Sequence, residues 1–130
     1  RIISGFVEKM KIRNFGRIVN ISSVWGQKSK EGRTLYSSSK AALDALTRSL
    51  AIEFASYNIL INSVAPGYIE TDMLKQCNTE DELNIIRHTI PMKRFGKKIE
   101  IAEIIKFLTS ENNSYITGQI FTIDGGYTSK

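Results

Sequence analysis

The fold of this chain is decided by residues 17–40, which read RIVNISSVWGQKSKEGRTLYSSSK. The run Arg17–Ile21 is apolar and mostly β-branched, a composition typical of a buried strand. It ends in a serine pair, and a helical pattern opened by Tyr36 and Lys40 follows after a polar loop. Because strand and helix alternate here and along the rest of the chain, the sequence predicts an α/β fold.

The pair Tyr36 and Lys40 has the spacing of two residues one turn apart on the same face of a helix. An ammonium group near a phenol favours the phenolate and lowers the pKa of a phenol from about 10 toward neutrality. A phenol of that kind can give a proton to a carbonyl oxygen or take one from an alcohol. The hydroxyl of Ser23, at the end of the strand, can hydrogen-bond the same oxygen. We therefore predict Ser23, Tyr36 and Lys40 to be the catalytic residues of a hydride-transfer reaction.

Each part of this pattern also has a purely structural interpretation. A tyrosine and a lysine at this spacing are common on solvated helix faces, and a serine pair can form a strand-to-loop turn with an N-cap. In the loop, Trp25 and Gln27 either line a substrate pocket or are a loop anchor and a solvated amide. The combination of serine, tyrosine and lysine in one stretch favours the catalytic interpretation.

Periodicity predicts the other elements of the chain. They are a helix over residues 1–12, the long helix Tyr36–Phe54, a strand Ile59–Ala65, helical patches within Glu70–Met92, a helix with its apolar face at 101–108, and a strand Gln119–Ile123. The long helix has a stripe of Leu43, Leu46, Leu50 and Phe54, predicted to face the core. We also predict an ion pair between Asp44 and Arg48, and a capping box at Thr79.

Five motifs in fixed order cover nearly the whole chain. They are Gly16-Arg17-Ile18-Val19-Asn20-Ile21-Ser22-Ser23, Tyr36 to Lys40, Asn62-Ser63-Val64-Ala65-Pro66-Gly67, Thr71-Asp72-Met73, and Thr117-Gly118-Gln119 to Asp124-Gly125-Gly126. In these motifs the chain resembles the short-chain dehydrogenase/reductase family, and most closely its 3-oxoacyl-[acyl-carrier-protein] reductase-like branch. The resemblance implies the carboxyl-terminal half of a doubly wound parallel-sheet Rossmann fold, with the catalytic helix and a mobile flap over the substrate.

The same resemblance implies an NAD(P)H cofactor. In an open parallel sheet, ligands bind beyond the carboxyl ends of the strands. The family pattern places Pro66 and Gly67 beside the nicotinamide ring, the backbone of Ile69 at its carboxamide and Thr71 near the phosphates. Taken alone, the Pro-Gly pair is a turn. Tyr36 and Lys40 complete the predicted cofactor contacts, with Lys40 hydrogen-bonded to the nicotinamide ribose.

Composition excludes several other classes of protein. The chain has 130 residues, of which 42% are hydrophobic and 24% charged, as in ordinary globular domains. The net charge of +5 is scattered, without an aromatic platform or zinc spacing, so no nucleic-acid partner is predicted. Alternatively, the positive charge forms a basic rim that attracts an anionic cofactor or an acidic carrier protein. No run approaches the roughly 20 apolar residues of a membrane span, so no membrane partner is predicted.

The one cysteine and the one histidine of this sequence give little indication of function. The one cysteine, Cys77, excludes an internal disulfide and fits a reducing cytoplasm, where we expect the protein. No signal peptide is expected, because no such pattern is recognisable at the start of these residues. The one histidine, His88, is expected on the surface, and no metal site is predicted.

No glycine-rich stretch of the G-x-G-x-x-G type follows a strand, so the usual phosphate-binding turn is absent from these residues. The predicted strands also require neighbours on both sides. We therefore expect residues 1–130 to be a single partial Rossmann domain, the catalytic and substrate-binding half of a protein about twice as long. Alone, this half is expected to be inactive.

The predicted activity is NAD(P)(H)-dependent reduction of a carbonyl or oxidation of an alcohol. The substrate is a small molecule, either a 3-oxoacyl thioester on an acyl carrier protein or, in the alternative, a sugar or other small alcohol. Tyr57 stands where carrier-protein reductases often have an arginine, which weakens the first choice and makes the alternative a serious second one. The family resemblance also implies a homodimer or homotetramer, and a truncated, non-catalytic assembly module is the rival from another class.

Overall fold

The computed structural model describes residues 2–129, with side chains from Gly5 onward. Arg1 and Lys130, the ends of the predicted domain, lie outside the described residues, as do the side chains of Ile2 and Ile3 from the predicted first helix. The helices are α1 Ile2–Arg13, α2 Thr34–Phe54, α3 Asp72–Gln76, α4 Glu80–Thr89 and α5 Lys98–Thr109. The strands are β1 Gly16–Ile21, β2 Ile59–Pro66 and β3 Ile120–Ile123.

The three strands form one parallel sheet in the order β1-β2-β3. Gly16 is opposite Ile59 at one end of the β1–β2 pair, and Ser63 is opposite Ile120 where β3 begins. Central strand β2 is buried at every residue before Pro66. This confirms the predicted strand covered on both faces, because neighbouring side chains of a strand point to opposite sides of the sheet.

Helices cover both faces of β2. On one face, Ile59 and Ile61 form a core cluster with Val7 of α1 and with Ala51 and Phe54 of α2. Helix α5 packs on β1 and β2 and contributes the buried Leu108. Burial of apolar surface between these layers is the main stabilising term of the fold.

The long helix packs on the sheet through part of the predicted stripe, since Phe54 lies in the core cluster and Leu50 packs against it. Leu46 is 44% exposed, and the buried residues of α2 are small or polar apart from Phe54. They are Ser37, Asp44, Thr47, Ala51 and Phe54. Thr47 Oγ1 accepts a hydrogen bond from Asn20 Nδ2 at 2.9 Å, and Asp44 Oδ1 accepts one from Ser63 Oγ at 3.1 Å. Ser63 thus replaces Arg48, the predicted partner of Asp44, because small polar residues let the helix approach the sheet closely.

The remaining boundaries differ from the predictions by a few residues. Helix α2 begins two residues before Tyr36, and a turn of 3₁₀ helix, Val24–Gly26, lies within the predicted polar loop. The predicted capping box is present, since Thr79 and Glu82 bond each other's backbone N–H groups. None of the helices in residues 2–129 combines the length and apolarity that a membrane crossing requires.

Candidate active site

The carboxyl ends of all three strands meet at one edge of the sheet. Strand β1 ends at Ile21, β2 at Pro66 and β3 at Ile123, and the parallel register aligns Ile21 with Val64 and Pro66 with Ile123. The predicted catalytic serine follows β1, and the predicted cofactor residues follow β2. This edge is therefore the candidate site, as expected for an open parallel sheet.

Ser23 is held where the chain leaves β1. It is buried and forms the N-cap of the turn Val24–Gly26, with its Oγ accepting a hydrogen bond from the Trp25 N–H at 3.3 Å. Because that bond uses an oxygen lone pair, the hydroxyl proton of Ser23 stays available for another acceptor. The next-door Ser22 donates from its Oγ to the carbonyl oxygen of Lys40 at 3.4 Å, which joins this turn to α2.

Lys40 connects the tyrosine to the end of β1. Its ammonium nitrogen lies 5.7 Å from the centroid of the Tyr36 ring and donates a hydrogen bond to the Ile21 carbonyl oxygen at 2.8 Å. The Tyr36 side chain is 41% exposed, so its phenol is accessible from solvent. The structure therefore brings Tyr36 and Lys40 into contact, and it places both beside the strand end from which Ser23 follows.

A close approach of two backbones keeps this arrangement compact. A Cβ atom on Gly26 would lie 3.1 Å from the carbonyl carbon of Lys40 and 3.2 Å from the nitrogen of Ala41. The turn after β1 therefore packs directly on the backbone of α2, and only a glycine leaves room for it. This contact positions Ser23 relative to the tyrosine–lysine face of the helix.

The residues predicted at the cofactor lie after β2. The Gly67 N–H donates to the Ile123 carbonyl oxygen at 2.9 Å, which keeps the ends of β2 and β3 together. Ile69 is opposite Gly96 in a parallel bridge, in which the Glu70 N–H donates to the Gly96 carbonyl oxygen and the Gly96 N–H donates to the Tyr68 carbonyl oxygen. The N–H and C=O of Ile69 itself take no part in that bridge. Thr71 is the N-cap of α3.

Three aromatic rings cluster at the same edge, one following each strand. Trp25, Tyr68 and Tyr127 pack edge-to-face in pairs, with ring centroids 5.3 to 6.3 Å apart. The turn that carries Tyr127 is held by Asp124, which accepts hydrogen bonds from the backbone N–H groups of Gly126 at 2.9 Å and Thr128 at 2.7 Å. The rings form an apolar wall beside the Ser23 turn.

Sequence reasoning found Trp25 but missed the two tyrosines. The only sequence signal for them was their position, since Tyr68 directly follows Pro66-Gly67 and Tyr127 directly follows Gly125-Gly126. The structure also shows that the amide of Gln27 donates to Thr122 Oγ1 on β3 at 2.8 Å. The Gln27 side chain is thus engaged with the sheet, whereas Trp25 belongs to the aromatic wall.

The aromatic wall has a measurable signature at alkaline pH. Burial and the neighbouring Tyr127, both as a negative charge and as a hydrogen-bond partner, raise the pKa of Tyr68 to about 12. A tyrosine in an unfolded chain titrates near pH 10. The unfolded state therefore loses this proton first, so the stabilisation is complete below about pH 10 and is lost as the pH rises through about 12.

We expect Tyr68→Phe to weaken the alkaline loss of stability. The measurement is the free energy of unfolding in denaturant across this pH range. The matched control is Tyr115→Phe, which removes a phenol hydroxyl from a residue that is 95% exposed. Equal slopes for the wild type and Tyr68→Phe would show that Tyr68 does not titrate differently in the folded state.

A parallel sheet covered by helices, with polar side chains beyond its carboxyl ends, defines an α/β protein of the doubly wound class. A family model described as "Enoyl-(Acyl carrier protein) reductase" matches residues 2–128. The chain belongs to the short-chain dehydrogenase/reductase family. This confirms the predicted family and fold class.

Two curated relatives illustrate the similarity. Acetoacetyl-CoA reductase from Cupriavidus necator is 48% identical over 120 residues, which are 92% of this chain and 48% of the relative. 3-Oxoacyl-[acyl-carrier-protein] reductase FabG from Aquifex aeolicus is 46% identical over 120 residues, again 92% of this chain and 48% of the relative. The chain thus spans about half the length of these curated relatives.

Solved structures agree with the fold. A gluconate 5-dehydrogenase from Burkholderia cenocepacia, in complex with NADP and tartrate, superposes with a TM-score of 0.93 at 28% identity, over 99% of this chain and 51% of that one. YwfH, an NADPH-dependent reductase involved in bacilysin biosynthesis, gives a TM-score of 0.93 at 34% identity, over 98% of this chain and 53% of that one.

Proposed function

We propose that the protein is an NAD(P)(H)-dependent oxidoreductase that reduces a carbonyl group or oxidises an alcohol by hydride transfer. The observation that carries this proposal is the position of Lys40, whose ammonium group lies against the Tyr36 ring and bonds the end of β1 just before the serine pair. Membership of the family and relatives named as reductases support it.

Each of the three side chains has a distinct role in this proposal. Ser23 donates its free hydroxyl proton to the substrate oxygen and so positions and polarises the carbonyl. Tyr36 gives a proton to that oxygen in reduction and takes it back in oxidation. The positive charge of Lys40 stabilises the negative charge that develops on the phenol oxygen when the proton leaves.

The cofactor in this proposal is NAD(P)H, which supplies a hydride to the carbonyl carbon or accepts one from the alcohol when bound. The residues present fit the nicotinamide half of such a molecule. A lysine ammonium has three donors, and the bond to Ile21 uses one, which leaves Lys40 able to bond ribose hydroxyls. The backbone groups of Ile69 outside the Gly96 bridge suit a carboxamide. Pro66 and Gly67 then flank the ring, and Thr71 is proposed near the phosphates.

For the substrate, we favour a 3-oxoacyl thioester, carried by coenzyme A or an acyl carrier protein. The names of the curated relatives support this choice, because they describe reductases of acetoacetyl-CoA and of 3-oxoacyl carrier protein. The alternative is a sugar or other small alcohol, supported by the likeness to a gluconate 5-dehydrogenase. Ser23 and Tyr36 contact the reacting oxygen in either case. Trp25 and the neighbouring Gln27 are proposed to line the substrate pocket.

We also propose that the protein works as a homodimer or homotetramer in the cytoplasm. Helix α2 exposes Ala41, Ala42 and Ala45 together with Leu46, a face that suits close packing against another helix. The free, exposed Cys77 agrees with a reducing compartment. The same helix face is the observation that favours the second candidate function, a non-catalytic assembly module.

The decisive experiment is an assay of the gene product as the organism encodes it. We expect the absorbance of reduced nicotinamide to fall when NADH or NADPH is mixed with acetoacetyl-CoA, and to rise when NAD(P) is mixed with a suitable alcohol. A folded gene product that oxidises and reduces no nucleotide with ketones, 3-oxoacyl thioesters, sugars or small alcohols would contradict the enzymatic proposal. Formation of a stable oligomer in that case would favour the assembly module.

A further inference from the structure

The loop between the turn Val24–Gly26 and α2 places three cations against the aromatic residues of the site. Lys28 Nζ lies 5.8 Å from the ring centroid of Tyr127, and Lys30 Nζ lies 5.6 Å from that of Trp25. The guanidinium carbon of Arg33 lies 6.0 Å from the centroid of the Tyr36 ring. Three residues of one short loop thus each lie over a different ring of the candidate site. We call Lys28, Lys30 and Arg33 the basic loop.

Lys30 and Arg33 form no ion pair within residues 2–129. The one carboxylate of the loop, Glu31, is exposed and forms no ion pair in this part of the chain either. A cation over an exposed aromatic ring gains only a little free energy from that contact. That contact also leaves the N–H donors unused, since the ring face accepts no directed hydrogen bond comparable to that of a carboxylate.

The field of the basic loop reaches the aromatic wall. The positive charge of Arg33 acts to lower the pKa of Tyr68, against the larger effects of burial and Tyr127 that raise it. Arg33 is therefore close enough to influence the phenol of Tyr68 as well as the ring of Tyr36. Lys30 and Arg33 are exposed, so their charges are accessible to an anion that enters the site.

We propose that the basic loop binds an anionic group of the substrate, a carboxylate or a phosphate, and so selects negatively charged carbonyl compounds and alcohols. This inference rests on the proposed function and names the substrate class of that same site. The cations lie over Tyr36 and Trp25, the residues proposed to contact substrate, rather than near Thr71 on the proposed cofactor side. Arginine is well suited to bidentate contact with either anion.

The test measures the ratio of kcat/KM for a charged substrate to kcat/KM for a neutral analogue with the same reacting group. One pair is acetoacetyl-CoA and acetoacetyl-N-acetylcysteamine, which tests a phosphate. The other is acetoacetate and methyl acetoacetate, which tests a carboxylate. We expect Lys30→Gln and Arg33→Gln each to lower one of these ratios by about five- to ten-fold, the range for a partly exposed charge-assisted contact.

The matched control is Lys106→Gln, which removes the same charge from an exposed position on α5 (78% of the side chain exposed). It should leave both ratios unchanged. The pair of substrates whose ratio falls identifies the anion as phosphate or carboxylate. Ratios that stay unchanged in Lys30→Gln and Arg33→Gln, or variants that raise only the KM for NAD(P)H, would overturn the proposal.

A second readout separates this inference from the proposed function. Trp25 is the only tryptophan of the chain and lies under Lys30. The fluorescence of Trp25 is obtained by subtracting the signal of Trp25→Phe from that of the wild type. We expect this fluorescence to change saturably when inorganic phosphate or acetate is added, and we expect Lys30→Gln to abolish the change. If no substrate is turned over, the proposed function fails, and the titration still decides the inference. A wild-type signal that responds to neither anion would refute the basic loop as an anion site.

Discussion

Tyr36→Phe is expected to lower kcat/KM of the gene product about a thousand-fold, within the range that general acid–base catalysis contributes. The phenylalanine keeps the ring under Lys40 and removes only the hydroxyl that exchanges the proton. Because the Tyr36 side chain is 41% exposed, the loss of its hydroxyl leaves the core untouched. The ammonium group of Lys40 also keeps its bond to Ile21, which depends on the helix and not on the phenol.

The measurement is steady-state turnover of reduced nicotinamide with the best substrate found. Circular dichroism and thermal unfolding should be indistinguishable from the wild type. Tyr115→Phe is the matched control, since it removes a phenol hydroxyl from a side chain that is 95% exposed and remote in sequence from the Ser23–Lys40 stretch. If Tyr36→Phe retained wild-type kcat/KM, the proton would have to come from another group, and the role assigned to Tyr36 would be wrong.

Gly67→Ala is expected to reduce the free energy of unfolding by about 3 kcal/mol, at the upper end for one added carbon in a tight contact. A Cβ atom at this position would lie 2.7 Å from the Cβ and 2.9 Å from the Cα of Asp124. The backbone of Gly67 is outside the left-handed region, so the requirement is for space and not for an unusual φ. Asp124 cannot yield easily, because its carboxylate holds the turn that carries Tyr127.

The same substitution should also impair activity, since displacement of Asp124 moves Tyr127 away from Trp25 and Tyr68. Chemical denaturation and the nucleotide assay check the two effects on one preparation. The matched control is Gly5→Ala on α1, where an added Cβ has nothing within 4 Å. That change should stabilise the helix by about 0.5–1 kcal/mol. Equal stabilities for Gly67→Ala and the wild type would mean that β3 shifts without penalty.

Several features of this protein follow from patterns inside a single element. The strand Arg17–Ile21 and the helix after it are recognisable because β-branched runs and helical periodicity act over a few residues. The contact between Tyr36 and Lys40 follows from the four-residue spacing, which the geometry of one helix turn converts into proximity. The capping box at Thr79 is equally local.

The face of α2 that meets the sheet could be predicted only in part, since Leu50 and Phe54 meet the core as predicted and Leu46 does not. Leu46 fits an apolar stripe, but the helix approaches β2 so closely that Asp44 and Thr47 pack there, each satisfied by a hydrogen bond from the sheet. Their partners, Ser63 and Asn20, are 19 and 27 residues away along the chain. The spacing of apolar residues along a helix shows only which side chains are apolar. How the helix packs on the sheet also depended on side-chain size and on hydrogen-bond partners from another element.

Residues that are close in sequence were thus sufficient to predict the strand–helix alternation, the tyrosine–lysine pair and the family motifs, because each of these is encoded within a short segment. The aromatic wall of Trp25, Tyr68 and Tyr127, the fit of Gly67 against Asp124 and the basic loop over the site emerged only from the folded chain. The aromatic wall, the Gly67–Asp124 contact and the contact of Lys28 with Tyr127 join residues that follow different strands. They meet because a parallel sheet brings the carboxyl ends of its strands to one edge, and no spacing within a segment encodes that meeting.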